Sequence, residues 1–243
     1  MNCEVFSGCF QKAGDAGSFG IKDIGAKMKT LFICLANSKK LGERCIAGVE
    51  VEKVDEVYKT VEKEGKPKWL RPISECQHGA VAEDLVGGIN LMDIIEIDVK
   101  ELCPNGYQSE NATFKPESIK KIGHIRLSER NLDRLIDMDQ YNLFGNRGKA
   151  VSHDVIDSVE HSITLIKVTD FQIKRRDPDG QLRIKFVFNH NRYDLPITDI
   201  DFIRRYNKNE TLLKNTDRLY LTISLGVFDK GWHSKLIAGV PYF

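Results

Sequence analysis

The sequence predicts a mainly β protein with minor α, built as two small β-barrel-like halves joined by a short helical connector. Short apolar segments alternate with polar residues at period two in the first and last thirds of the chain. Turn residues separate them at short intervals, which favours a barrel or sandwich over a βαβ sheet. Helical periodicity gathers in the middle. The expected divisions are 1–27, 28–127, 128–161 and 162–243.

Residues 1–27 hold glycines and small residues with no sustained period, and are expected to be a disordered leader or a mis-assigned start. Leu31, Ile33 and Leu35 alternate with Phe32 and Cys34, a strand buried on both faces. The polar run Asn37 to Gly42 and then Cys45 to Val49 complete a hairpin. Val54, Val57, Tyr58 and Val61 fall at i, i+3, i+4 and i+7, the spacing of a short amphipathic helix closed by Gly65. Trp69 to Ser74 reads as extended, Cys76 to Asn90 as a long loop, and Ile95, Ile97 and Val99 as a half-exposed strand.

The connector, Ser128 to His161, begins at a Ser N-cap and carries Leu132, Leu135 and Ile136, then Val151, Val155 and Val159 at helical spacing. Beyond it, Asp177-Pro178-Asp179-Gly180 is a turn in which Pro sets φ and Gly supplies φ > 0. Leu182, Ile184 and Phe186 alternate with Arg183 and Lys185, and Leu219 to Leu225 alternate in the same way.

The charge is balanced, with 36 Lys+Arg against 35 Asp+Glu among 243 residues, which argues against global attraction to nucleic acid but leaves a local basic face open. None of the six cysteines forms a C-x-x-C pair, and Cys34 and Cys45 sit in apolar strands as small hydrophobes. Their reading is reduced thiols in a cytoplasmic protein. No run approaches the ~18 apolar residues of a membrane span.

An internal match stands out. Leu31 to Ala36 resembles Leu221 to Gly226, and Arg44-Cys45-Ile46-Ala47-Gly48-Val49 resembles Lys235-Leu236-Ile237-Ala238-Gly239-Val240. The segment Leu70-Arg71-Pro72-Ile73-Ser74 follows the first hairpin, whereas its analogue, Leu195-Pro196-Ile197-Thr198, precedes the second. Either that likeness is accidental or the second half is permuted.

Cys34-Leu35-Ala36-Asn37-Ser38, Trp69 to Ser74, Asp93 to Ile97, Tyr107 to Asn111, Tyr193 to Asp199 and Lys235 to Gly239 occur in an order that resembles the dual OB-containing domain family of prokaryotic proteins. The chain departs from the expected pattern at Ser109 and Ile200, where proline is expected. The resemblance implies two OB-type barrels and an association with conflict or defence systems, often beside an ATPase or another effector. Nucleic-acid or nucleotide binding follows from the fold in that family, and fold alone does not fix function.

OB-type binding pairs a cationic groove with aromatic rings on which bases stack. The candidates in the first half are Lys39, Lys40, Arg44, Trp69 and Arg71; in the second they are Lys230, Trp232, His233 and Lys235. Each Trp competes with a role in a small core, although Gly231-Trp232-His233 reads as an exposed loop. Lys174-Arg175-Arg176 reads as a solvated charge run at a turn, and the cations from Lys115 to Arg134 as a mixed surface.

The six histidines show no H-x-x-x-H or H-E-x-x-H pair, and neither a phosphate loop nor a G-x-S-x-G elbow occurs. The expectation is a non-catalytic binding module without a cofactor, a metal or a membrane partner, whose ligand is single-stranded nucleic acid or a nucleotide. The alternatives are an adaptor that docks a partner ATPase or effector and, third, a cryptic nuclease.

Overall fold

The structure is a computed structural model that describes residues 28–40, 42–74, 79–126, 128–136 and 140–242. The expected leader, 1–27, lies outside the described residues.

In the first half, β1 (Met28–Lys40) and β2 (Glu43–Val54) form the expected hairpin, with a register shift at Leu35. Strand β3 (Val57–Thr60) folds back on β2, and β4 (Glu62–Lys63) pairs with β5 (Lys66–Pro67). Then come β6 (Trp69–Ile73), helix α1 (Glu83–Val86), β7 (Asp93–Leu102), β8 (Asn111–Phe114) and β9 (Lys120–His124).

Pairing runs β1-β2-β6-β8-β7 and returns from β7 to β1, so five strands close into a barrel. Only β6 and β8 are parallel among these neighbours, and α1 lies between the third and fourth barrel strands. This is the connectivity of an OB barrel.

The helix expected over 54–61 is instead a hairpin, with Val54 opposite Val57. Asp55 and Glu56 both take positive φ (48° and 64°), so the two-residue turn twists with its flanking strands. Val-rich sequence suits strands as well as an i, i+3, i+4 pattern, and the local turn decided between them. The stretch expected to be a long loop over 76–90 carries α1 and a bridge from Val81 to Arg44.

The connector opens on α2 (Glu129–Asp133), whose Ser128 cap accepts from Asn131 N. It also carries two 3-10 turns and a strand, β10 (Ala150–Ser152), that joins the second half by pairing with β16 (Trp232–Gly239). The valines at 151, 155 and 159 thus span a strand and a 3-10 turn rather than one helix.

Beyond the connector lie β11 (Ile163–Val168), β12 (Phe171–Arg176), β13 (Gln181–Phe188), β14 (Asn191–Pro196), helix α3 (Ile200–Lys208) and β15 (Leu219–Asp229). Strands β11 and β12 act as one bent first strand: β11 pairs with β15 and β12 with β13. Strand β14 meets β16 in parallel at Ile197 and Ile237, where Thr198 N donates to Ile237 O at 2.8 Å. The chain order therefore matches the first barrel strand for strand, with α3 in the place of α1.

This corrects the internal match. The hairpin β1-β2 holds the first and second barrel strands, whereas β15-β16 holds the fourth and fifth. The two aliphatic runs also face differently: Leu221, Ile223 and Leu225 fill the second barrel, while Ile33 and Leu35 point out of the first. The true counterparts are β6 and β14, each the third strand of its barrel, bearing Pro72 and Pro196. The second half is not permuted.

Each barrel has its own interior, the first around Phe32, Cys34, Ile46, Ile95 and Ile97, the second around Ile166, Ile184, Phe186, Leu195 and Leu221. A third apolar layer joins them. Ile33, Leu35, Val49 and Ile94 on the outside of the first barrel pack against Leu132 and Leu135 near α2, and against Leu165 and Tyr220 of the second. That is why β1 is apolar on both faces. Ala36, Ala47 and Ala238 let the backbones come close in this layer. A Cβ on Gly239 would lie 2.0 Å from Leu35 O, the oxygen that accepts from Thr222 Oγ1 at 2.7 Å. The two barrels are therefore one packed body.

Candidate functional site

An OB barrel presents ligands with the face of its second and third strands and with the loops between strands one and two and between four and five. In the first barrel that face belongs to β2 and β6, and it is covered. Ala47, Val49 and Trp69 pack into the layer between the halves. Arg71 is 3% exposed and donates from Nη2 to Glu110 Oε1 at 2.7 Å and to Ser162 Oγ at 2.6 Å. Glu110 belongs to the loop before β8 and Ser162 leads into β11. This ion pair sits at the junction of the barrels and does not meet solvent.

Of the other first-half candidates, Lys39 is exposed, and the side chain of Lys40 lies outside the described residues. Arg44 is committed to Glu83 of α1, with Nη1 donating to Asn37 Oδ1 at 3.1 Å. The expected pairing of Trp69 with Arg71 on one strand face holds, but that face is the docking face of the barrel.

In the second barrel the corresponding face is open. Outward positions of β12, β13 and β14 carry Lys174, Arg176, Arg183, Lys185 and Arg192, with Lys174 opposite Arg183 and Lys185 opposite Asp194. The inward positions, Ile173, Ile184, Phe186 and Leu195, hold the core. Alternation thus separates a greasy face from a basic one.

At the β14 edge, Arg147 and Lys149, in the segment leading into β10, join Arg176, Arg183, Arg192, Tyr193 and Asp194 around a hollow of about 420 Å³. Five cations share it with one carboxylate. Arg183 spends its Nε on Asp194 at 2.6 Å, and Arg176 is paired with Asp179. Arg147, Lys149 and Arg192 are exposed and have no carboxylate within ion-pair distance among the described residues.

Beneath this hollow lies Lys235, fully buried and so not the surface cation expected. Its Nζ donates to Asn146 O at 2.9 Å and Asn146 Oδ1 at 2.6 Å, and sits 5.3 Å from the centroid of the Tyr193 ring. Asn146 Oδ1 also accepts from Gly148 N at 3.0 Å, and Asn146 Nδ2 donates to Ala150 O at 2.9 Å. Lys235 therefore anchors the turn that presents Arg147 and Lys149.

Burial pushes the Lys235 ammonium down to about 7. Above that value the unfolded chain holds the proton that the folded chain has released, so stability rises with pH. We expect a wild-type slope steeper by about 1 kcal/mol per pH unit between about pH 7 and 9 than that of Lys235→Met, measured by urea unfolding. Equal slopes would show that the amine stays charged.

His233 is also buried, with Nδ1 facing Gly226 O at 3.1 Å and Nε2 facing His153 Nδ1 at 3.2 Å. It braces the β15-β16 hairpin and is not a surface contact. Two candidates are where the sequence placed them: Lys230 is exposed in the turn, and Trp232 is 53% exposed just after it. The hairpin is the loop between the fourth and fifth strands, a ligand-facing position in OB barrels. Lys235 N donates to Lys149 O, and Trp232 lies three residues away on β16, paired with Ser152, so the two backbone positions are about 10 Å apart along the strand.

The family profile of the Dual OB-containing domain matches residues 30–240. The chain belongs to that family. In this member of the family one OB face is spent on docking the two barrels and the other is displayed. A search of curated proteins finds no match.

In a second hollow the charges are paired. A hollow of about 540 Å³ between the halves is lined by Asp93, Lys121, His124, Asp201 and Arg205, among others. There Lys121 and His124 each lie 2.8 Å from Asp93, and Arg205 is 2.6 Å from Asp201. Among the described residues no group of three or more His, Cys, Asp or Glu is arranged to hold a metal ion, and no helix is long and apolar enough to cross a membrane.

Proposed function

We propose that the protein is a binding module whose second barrel takes single-stranded nucleic acid, with the first barrel as its scaffold. The observation that carries this reading is the basic hollow, where five cations meet one carboxylate on the displayed OB face. Guanidinium groups match phosphate oxygens in a two-point geometry, and three of the cations have no carboxylate partner among the described residues. Trp232 supplies a ring for a base at the neighbouring loop. A chain of net charge +1 gains its attraction from this local excess rather than from its total.

The test is fluorescence anisotropy with short labelled single-stranded oligonucleotides at several salt concentrations. Trp232→Ala is expected to weaken binding by about 1–3 kcal/mol through lost stacking. Its exposure makes the substitution harmless to the fold, and an unchanged melting temperature checks that. Absence of wild-type binding at low salt would sink the reading. The adaptor alternative would then lead, supported by Phe228 and Val155, which are 55% and 52% exposed beside the same hairpin.

A further inference from the structure

We infer that the hollow formed by Arg147, Lys149, Arg176, Arg183 and Arg192 takes a terminal phosphate, a monoester at the end of a strand, in preference to the diesters within it. This inference rests on the proposed reading of the second barrel and names the part of the strand that this site selects.

A surface that only tracks a backbone needs cations strung out along a path, since each diester carries a single negative charge. Here the cations converge from β12, β13, β14 and the turn before β10 upon one hollow of about 420 Å³. A phosphate monoester carries about −1.5 to −2 charges at neutral pH and three acceptor oxygens. Arg147, Lys149 and Arg192, the three cations without a carboxylate partner among the described residues, equal those oxygens in number.

The setting adds to this preference. Lys235 places a further amine under the Tyr193 ring, with Asn146 oxygens as its hydrogen-bond acceptors among the described residues. A neighbouring anion of high charge favours the protonated form of an amine so placed. The turn is built to hold its shape, since Asn146 ties Lys235, Gly148 and Ala150 together. The Tyr193 hydroxyl donates to Asn146 O at 3.3 Å and accepts from Leu143 N at 3.2 Å. Trp232, further along β16, takes a base near the same end.

Three versions of one oligonucleotide test this: 5′-phosphorylated, 3′-phosphorylated and unphosphorylated, each labelled internally. One phosphorylated form is expected to bind about tenfold more tightly than the unphosphorylated strand. That advantage disappears in Arg147→Gln/Arg192→Gln, both exposed positions, while residual strand binding persists. Equal affinities of the three strands for the wild type, or an advantage that survives in the variant, would overturn the inference and leave strand binding intact. A second measurement covers the case in which no strand binds. Inorganic pyrophosphate at constant ionic strength raises the melting temperature of the wild type and not of the variant if the hollow takes a terminal phosphate. With no shift in either protein, the inference falls as well.

Discussion

Reversing Arg147 and Arg192 to glutamate is expected to lower oligonucleotide affinity by about 100-fold at low salt while leaving the melting temperature unchanged. Both side chains are exposed, and neither holds a carboxylate among the described residues, so the fold loses nothing when their charge changes. The ligand loses two phosphate contacts and meets two repulsive charges in their place. The milder pair, Arg147→Gln and Arg192→Gln, isolates the contacts themselves. For single strands each contact adds about 0.7 to the slope of log affinity against log salt, so that slope should flatten by about 1.4. Lys53→Glu is the control, because Lys53 is an exposed cation on β2 of the other barrel, paired with Glu56. An unchanged affinity in the double glutamate variant would remove the basic hollow from the binding site.

The asymmetry between the barrels explains why one cation cluster matters more than another. Two OB barrels side by side offer two recognition faces, but a chain of this size must also bury a junction. The first barrel meets that need with its own second and third strands, where Val49, Trp69 and Arg71 would otherwise face a ligand. Its outward side chains are accordingly apolar or paired. The second barrel turns β11 and β15 to the junction, through Leu165 and Tyr220, and leaves β12, β13 and β14 free for cations.

This division was only partly visible in the sequence. Period-two alternation located β1, β7, β13 and β15, and family resemblance supplied the two barrels. The face of each strand was harder to assign. Leu182, Ile184 and Phe186 mark the core side of β13, so Arg183 and Lys185 had to lie outside. Adding Lys174, Arg176 and Arg192 at the same period exposes the basic face, a signal present in the residues but masked by reading Lys174-Arg175-Arg176 as a solvated run. Arg147 and Lys149 carried no such signal, because their place depends on Asn146 and Lys235, 89 positions apart. The hairpin match misled for a related reason: Ile-Ala-Gly-Val suits any tightly packed strand pair. Gly48 and Gly239 are required by close backbone approaches, at 1.8 Å to Ile33 O and 2.0 Å to Leu35 O for an added Cβ, on strands that are not counterparts.

The junction itself should fail sharply when half of its ion pair is removed. Arg71→Ala leaves the Glu110 carboxylate buried, with the hydroxyl and backbone N–H of Ser162 as its remaining donors among the described residues, and is expected to destabilise the protein by about 3–5 kcal/mol. Glu110→Ala strands the guanidinium in the same way. The pair as a whole is a different matter, since taking both charges out of water costs most of what their attraction returns. Arg71→Met combined with Glu110→Leu removes both charges together and should therefore recover most of that loss. Urea unfolding of the wild type, Arg71→Met, Glu110→Leu and their combination gives the interaction energy as a double-mutant cycle. Because the layer around Ile33, Leu165 and Tyr220 is shared by both barrels, each protein is expected to unfold in one transition. An Arg71→Ala cost below about 1 kcal/mol would place the pair in solvent and open the β2-β6 face to ligand. Two separate transitions in the wild type would instead mean that the barrels stand apart, and that Arg71 and Glu110 stabilise the first alone.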